Sequence, residues 1–226
     1  MFGAKTKNSR RIDIDGYFKT VDIALVSDNV EIYQGDKFYI VTTNPYLVAR
    51  NSGGYVRIES KERTCMTKTC IFIPRIYNAE AIRIYVHEGN VKFYDTGFYN
   101  LNCKLSKGDI SGSFTVQNLA DLYTVNGNIT SSILAKNNLR ARTTNGNIKI
   151  DLLSNYTASH YDLLTGKGKI LFNTDSEVTA KDKLSYNPKG YAENENHVMV
   201  SCAETGDITV TTANYRSRVA GKKKKK

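Results

Sequence analysis

The sequence contains no tryptophan, only three prolines, and no apolar run long enough to cross a membrane. A transmembrane helix needs about 20 consecutive, mainly apolar residues. The first twenty residues are basic at the start but lack the apolar stretch of a secretory signal. Phe2 follows Met1, so the glycine that N-myristoylation requires is missing as well. We therefore expect a cytoplasmic protein, with at most a peripheral contact with a membrane.

Cysteine is also sparse. The four cysteines form no CxxC pair and are too few for a disulfide framework; they are Cys65, Cys70, Cys103 and Cys202. Pairing of Cys65 with Cys70 is conceivable, but a reduced pair is favoured. Cys103 falls in an alternating apolar pattern, which indicates a small buried core residue.

The motifs of common active sites are missing too. The sequence has no P-loop, no GxSxG and no GxGxxG between a strand and a helix. The histidines are far apart and match no metal-ligand spacing; they are His87, His160 and His197. These absences predict that the protein is not an enzyme and uses neither a metal nor a cofactor.

Four aspartates are the candidates for catalysis, because some β-helix enzymes cleave acidic polysaccharides with clustered carboxylates. Asp109 and Asp207 each follow a glycine, where turns favour Asp and Asn for backbone reasons. Asp121 and Asp151 complete the set. Turn formation is the favoured interpretation over catalysis.

The net charge of +10 lies on the two ends of the chain. The sequence has 32 basic and 22 acidic residues, and residues 1–11 and 216–226 hold four and seven of the basic ones and no acid. The remaining 21 basic residues face 22 acidic ones, so the central part is nearly neutral. Specific nucleic-acid binding is not expected, since such domains carry their charge as a patch on the folded surface.

The C-terminal segment has a clear electrostatic consequence. A basic residue near an anionic leaflet contributes about 1 kcal/mol, screened by salt. We predict contact with an anionic membrane surface or another polyanion; a solubilising end or an added tag is the alternative. The residues concerned are Arg216, Arg218, Lys222, Lys223, Lys224, Lys225 and Lys226.

A repeat of Gly, then usually Asn or Asp, then Ile or Val organises the chain. Its glycines recur at intervals of 19, 19, 19, 22 and 38 residues: Gly89, Gly108, Gly127, Gly146, Gly168 and Gly206. A fixed period near twenty predicts a solenoid whose units bury their apolar faces on one another. We expect the glycines in a column of turns that need positive φ.

Residues between the glycines alternate with period two, which predicts two strands per unit with one face inside. The predicted inward columns are Val91, Ile110, Ile129 and Ile148; Leu101, Ala120 and Leu139; and Cys103, Leu122 and Ala141. The fold class is therefore all-β, a β-solenoid in which each rung has the length of one glycine interval.

The predicted organisation has three parts. Residues 1–11 form a basic arm, 12–215 a single solenoid domain, and 216–226 a disordered basic tail. Within the domain, irregular strands before residue 89 form a cap, and regular rungs cover 89–175. A mobile loop at 176–197 replaces part of a rung, and the last rung spans 198–212.

The chain resembles a bacterial family of adhesin-like proteins of unknown function, the Toastrack-like domains. The matching segments are Val30–Asp36, Ile71–Pro74 and the Gly-Asn/Asp-Ile elements that end with Thr205–Ile208. The resemblance covers roughly residues 20–212. It implies a β-helix-like domain, often tied to the cell envelope, with no agreed catalytic residues.

These observations support a non-enzymatic adhesin-like binding or scaffold protein of the bacterial cell envelope or inner membrane face. Its β faces would present Tyr and charged side chains to a protein or a glycan. One alternative is a structural protein that self-associates by stacking end to end, because uncapped terminal rungs polymerise. A carbohydrate-active β-helix enzyme is the less favoured alternative.

Overall fold

The computed structural model describes residues 8–63, 65–74, 80–153, 160–174, 177–186 and 197–212. These residues form eighteen β-strands and no helix, and hydrogen bonds connect all the strands into one sheet. The strands are β1 Arg10–Asp13, β2 Thr20–Gly35, β3 Tyr39–Thr42, β4 Val48–Ser52, β5 Tyr55–Ser60, β6 Thr67–Pro74, β7 Ala81–Glu88, β8 Val91–Lys107, β9 Ile110–Asn126, β10 Ile129–Ala135, β11 Asn138–Asn145, β12 Ile148–Leu152, β13 His160–Lys167, β14 Ile170–Asn173, β15 Glu177–Ala180, β16 Lys183–Tyr186, β17 His197–Thr205 and β18 Ile208–Thr211.

Parallel pairing between successive rungs confirms the predicted all-β solenoid. Ile110 pairs with Val91 on one side and with Ile129 on the other, in each case one full glycine interval along the chain. Strands β8 and β9 are 17 residues long and run through both sides of the coil. We call the stack of strand segments that lead up to the repeat glycines the first ladder, and the stack of segments that follow them the second ladder. The first half of β8 and of β9 thus belongs to the second ladder, and the second half to the first.

The core is a continuous stack of aliphatic side chains between the two ladders. Every residue of the three predicted inward columns is at most 1% exposed. In-register pairing at about 4.8 Å between strands brings equivalent side chains into contact along the whole stack. The period of the sequence therefore places a similar aliphatic residue at the same buried position in each successive rung.

The order of the rungs departs from the order of the sequence at the C-terminal end. The double interval between Gly168 and Gly206 did not specify where the last rung stacks. In the structure β17 and β18 lie between β11–β12 and β13–β14, so the last rung is inserted one place inward. Gly206 consequently stacks on Gly146, and Gly168 stacks on Gly206.

The N-terminal end has the same kind of arrangement. Strand β2 pairs in parallel with β7 and β8 on one side and with β5 and β6 on the other. The rung made by β5 and β6 is thus the outermost one, although β2 precedes it in the sequence. In the described residues eight parallel rungs stack from β5–β6 to β13–β14.

Antiparallel strands cover both ends of the parallel stack. At one end β4 pairs with β5 and β3 pairs with β6, and β1 adds to β3. At the other end β16 pairs with β13 and β15 with β14. The expected mobile loop at 176–197 therefore contains two strands within its described part, while 176 and 187–196 lie outside the described residues. These short strands protect the edges of the sheet, which would otherwise pair with other chains.

Close stacking explains the repeat glycines more fully than the turn does. A Cβ on Gly127 would lie 2.0 Å from the carbonyl oxygen of Gly108, and one on Gly146 the same distance from that of Gly127. Positive φ, which we expected at each of them, occurs at four of the six and not at Gly127 or Gly168. Steric exclusion by the neighbouring rung is the common requirement.

Candidate functional site

Asp109 and Asp207 lie in the column of turns, as their position after glycine predicts. The Asp109 carboxylate accepts a hydrogen bond from the backbone N–H of Asn128 over 2.7 Å, and Asp207 accepts one from Lys169 over 2.8 Å. Asn90 and Asn147 make the same bond in their own rungs. Both carboxylates therefore belong to a structural chain of hydrogen bonds.

The other two candidate aspartates lie on opposite sides of the coil. Asp121 is buried on the first ladder and accepts a hydrogen bond from Arg142 over 2.9 Å. Asp151 lies on the second ladder. The four aspartates are thus divided among the turns and two faces, an arrangement that does not form the carboxylate pair of a glycosidase.

The outer side of the first ladder carries two columns of charged and tyrosine side chains, which we call the basic tyrosine face. Strand register places residues with the same outward direction directly beside one another. One column is Arg57, Asp22, Arg83, Asn102, Asp121 and Arg140; the other is Glu59, Ala24, Tyr85, Lys104, Tyr123 and Arg142. Tyr55 lies beside the first column, where its hydroxyl donates to Asp22.

Positive charge exceeds negative charge on this face, with five basic side chains against three acidic ones in the two columns. Salt bridges neutralise part of it: Arg83 with Asp22 at 3.3 Å and Arg57 with Glu59 at 2.9 Å. No described carboxylate lies within 4.0 Å of Lys104 or Arg140. Their charges remain available to a ligand.

A groove of about 540 Å³ runs along the basic tyrosine face. Tyr85 and Tyr123 line it two rungs apart, with Lys104 between them. Lys104 lies 5.9 Å from the centre of the Tyr85 ring, and Arg142 lies 5.6 Å from that of Tyr123. Tyr85 is 45% exposed. The groove thus combines aromatic faces with cations, a pairing that suits sugars and anions together.

The second ladder carries a stack of four aromatic rings on its outer side. Adjacent ring centres are 4.4 to 5.0 Å apart and the ring planes differ by at most 13°, in the order Tyr39, Phe72, Tyr33 and Tyr94. Arg11 lies 3.9 Å over the Tyr39 ring at one end, and Lys92 lies 4.8 Å over Tyr94 at the other. The stack joins the antiparallel strand β3 to β6, β2 and β8, which belong to the first three parallel rungs, so strands before residue 89 form rungs and not only the predicted cap.

Glu31 lies beside this stack and accepts hydrogen bonds from Tyr33 over 2.6 Å and from Cys70 over 3.6 Å. Partial burial acts to raise the pKa of Glu31, but the bonds from Tyr33 and Lys68 outweigh it, so the pKa lies below its ordinary value. Burial, together with the bond to Glu31, raises the pKa of Tyr33. Burial and the Glu31 charge raise the pKa of Cys70 to about 11.

Two histidines that are far apart in the sequence are neighbours in the last two rungs of the stack, on the first ladder. His160 and His197 are direct neighbours on β13 and β17, and both contact Asp162. Their spacing in the sequence gave no sign of this cluster, because it is the insertion of the last rung that brings them together. The absence of a bound metal stays a prediction. Partial burial acts to raise the pKa of Asp162, but Ser185 and the two imidazoles hold it below its ordinary value.

The remaining predicted residues are placed as follows. Cys103 is fully buried, Cys65 is exposed, and all four cysteines are free thiols. The basic C-terminal residues from Arg216 to Lys226 lie outside the described residues, so their contact with a polyanion stays a prediction. None of the described residues forms a helix long and apolar enough to span a membrane.

The fold and its faces define a capped β-solenoid with a broad, groove-bearing surface. The chain belongs to the Toastrack DUF4097 family, whose model matches residues 18–217. This confirms the resemblance drawn from the N-terminal segments and the glycine repeat together.

Solved bacterial structures share the fold, and two of them serve as examples. A Bacteroides fragilis protein, whose name gives adhesion as its expected role, is 15% identical and aligns with a TM-score of 0.52 over 89% of this chain and 95% of its own. A Clostridium sporogenes protein named for a similar expected role is 11% identical, with a TM-score of 0.48 over 90% and 98%. No curated protein matches the sequence. At these identities the likeness extends to the fold alone.

Proposed function

We propose that this chain is a non-enzymatic, adhesin-like binding domain whose basic tyrosine face takes an acidic polysaccharide. The observation that carries the proposal is the groove in which Tyr85, Lys104 and Tyr123 follow one another on successive rungs. The adhesin role expected of the Bacteroides fragilis neighbour supports the general class of function.

The spacing of the face suits an extended, repeating ligand. Its columns run from β5 to β11, which is five intervals of about 4.8 Å or about 24 Å. The strands fix the backbone positions from which these side chains project, so no backbone segment of the face has to become ordered when a polymer binds. Lys104 and Arg140 supply charge for carboxylate or sulfate groups, while the tyrosines supply apolar surface for sugar rings.

Binding of polygalacturonate, a carboxylated polymer, tests the proposal by calorimetry, with neutral dextran as the comparison polymer. We expect polygalacturonate to bind, dextran not to bind, and affinity to fall as salt rises. The double variant Lys104→Gln/Arg140→Gln should bind at least tenfold more weakly, because a charged hydrogen bond contributes about 1.5–3 kcal/mol.

The matched control removes two positive charges from the opposite face, in Lys92→Gln/Lys149→Gln. Equal weakening in both double variants would show that only net charge matters and would overturn the assignment to this face. The polymer's chain length should stay constant during incubation; shortening would instead support the carbohydrate-active alternative.

The antiparallel strands at both ends argue against the alternative function, a structural protein that stacks end to end. Strands β4 and β16 cover the outermost parallel strands of the first ladder, and β15 covers β14 on the second. We therefore expect the protein to sediment as a monomer at micromolar concentration. Removal of 177–186 by deletion should expose β13 and β14 and promote association.

A further inference from the structure

Three metal-binding side chains converge where the last rung is inserted. His160 on β13 pairs directly with His197 on β17, and their ring centres are 5.1 Å apart. Asp162 follows two residues after His160 and therefore has the same outward direction on the same strand. The three side chains come from adjacent rungs and meet on the outer side of the first ladder.

Their donor atoms are already close together. The Asp162 Oδ2 atom lies 3.0 Å from His197 Nε2 and 3.2 Å from His160 Nε2. One ligand atom from each residue falls within 4.8 Å of the others. The hydroxyl of Ser185 donates to the second oxygen of Asp162, which orients the carboxylate. All three side chains are partly buried, with 26%, 34% and 38% exposure for His160, Asp162 and His197.

The chemistry of this set is selective for one class of ion. Two imidazoles and a carboxylate are ligands of Zn²⁺ and similar transition metals, whereas Mg²⁺ and Ca²⁺ prefer oxygen ligands alone. Zn²⁺ binds these donors at about 2.0–2.2 Å, so small side-chain rotations suffice to place an ion among them. The bond from Ser185 would serve as the outer contact that such carboxylates usually have.

We propose that His160, Asp162 and His197 bind Zn²⁺ and thereby cross-link the inserted last rung, β17–β18, to the terminal rung β13–β14. The ligands belong to segments far apart in sequence, so the ion would cross-link β13 and β17 in addition to their backbone pairing. Three protein ligands leave one tetrahedral position for water or for a group of a bound molecule. This inference is independent of the polysaccharide proposed for the groove.

The alternative is a hydrogen-bonded His–Asp–His group that binds no ion. Calorimetry with Zn²⁺ on the metal-free chain, carrying no added histidine tag, separates the two. We expect one Zn²⁺ per chain and a rise in Tm on addition of Zn²⁺, because an ion that binds only the folded state stabilises it. Mg²⁺ at the same concentration should leave Tm unchanged.

Variants identify the ligands. His197→Gln and His160→Gln should each weaken Zn²⁺ binding at least tenfold and abolish the rise in Tm. His87→Gln is the matched control, because His87 is an exposed histidine on another strand, and should behave as the parent chain. Using two ligand variants keeps the test valid if one of them does not fold, as judged by circular dichroism.

Three results would overturn the proposal. The first is absence of Zn²⁺ binding to the parent chain. The second is equal binding by the parent and a folded ligand variant. The third is Zn²⁺ binding without a rise in Tm, which would remove the cross-linking role.

Discussion

The side chain of Asn90 accepts a hydrogen bond from the backbone N–H of Asp109 over 2.8 Å. The same bond connects one rung to the next along the column of turns. In five further pairs the side-chain oxygen of the first residue accepts from the backbone N–H of the second: Asn29 and Asn90, Asp109 and Asn128, Asn128 and Asn147, Asn147 and Asp207, and Asp207 and Lys169. A short polar side chain therefore follows five of the six repeat glycines and connects each rung to the next, while Lys169, after Gly168, ends the column as a backbone donor.

Substitution in the middle of this column tests its contribution to stability. Asn128→Ala removes the acceptor for the N–H of Asn147, and we expect a loss of about 0.5–1 kcal/mol in the free energy of unfolding. Asn128→Asp keeps that acceptor but places a second carboxylate against Asp109, so its loss should shrink at high salt. Urea unfolding measures both. Gln34→Ala, at an exposed amide outside the column, should change little; a loss as large as that of Asn128→Ala would contradict this account.

The glycine column offers a pair of variants that separates contact from backbone strain. Gly127 lacks a left-handed φ, but its Cβ would lie 2.0 Å from the Gly108 oxygen, so Gly127→Ala should destabilise the protein by about 3 kcal/mol or more. Gly53 has a φ of +59° and no atom within 4 Å of its Cβ position. Gly53→Ala should therefore cost only about 1 kcal/mol. Urea unfolding measures the free energy of unfolding of both variants. A similar loss in both would contradict the close contact at Gly127, since it would mean that neighbouring rungs move apart at little cost.

Glu31 makes the stability of the N-terminal rungs depend on pH. Its pKa is lower in the folded chain than in the unfolded one, because Tyr33 and Lys68 outweigh the effect of burial. Its stabilising contribution is thus present above the unfolded pKa of about 4.3 and disappears as pH falls through the folded value. Glu31→Gln should lower the free energy of unfolding at pH 7 and have a progressively smaller effect below about pH 4. A constant difference across this range would exclude the charge as its cause.

The cysteines should react with iodoacetamide in an order set by exposure and pKa. Cys65 is exposed and should react first. Cys70 is half-buried with a pKa of about 11, so at pH 8 on the order of one thiol in a thousand is the reactive thiolate. Cys103 is fully buried, and burial also raises its pKa, so it should react only on unfolding. Mass spectrometry after timed labelling gives the order.

A variant of the neighbouring acid supplies the check. Glu31→Gln removes the charge that helps to raise the Cys70 pKa, and it should speed labelling of Cys70 without affecting Cys65. Labelling of Cys70 as fast as Cys65 in the parent chain would contradict the raised pKa.

The period of the sequence predicted the solenoid because each rung repeats one glycine and one buried aliphatic residue at a fixed offset. Ile110 and Ile129 could be placed in one column from their spacing alone. The same spacing could not order the last rungs, because the double interval from Gly168 to Gly206 fits both direct succession and insertion. Backbone pairing decides between these arrangements, and it places Ile208 between Ile148 and Ile170.

The features that sequence reasoning missed depend on that insertion or on weak signals. His160 and His197 become neighbours only when β17 lies beside β13, so no local motif reveals them. The segment 177–186 looked like a loop because its strands cover an edge and bury little, with Leu184 as a buried exception. The period-two alternation did predict β faces that present Tyr and charged side chains, and Lys104, Tyr123 and Arg142 are such outward residues.

The inserted last rung also sets the order in which a growing chain can be completed on the ribosome. Residues 160–173 emerge before residues 197–212, yet the latter separate them from β11 and β12 in the finished domain. A nascent chain can close its early rungs as they appear, but β13 and β14 must wait for their neighbours. The end of the domain therefore reaches its native pairing only when translation has passed residue 211, the last residue of β18.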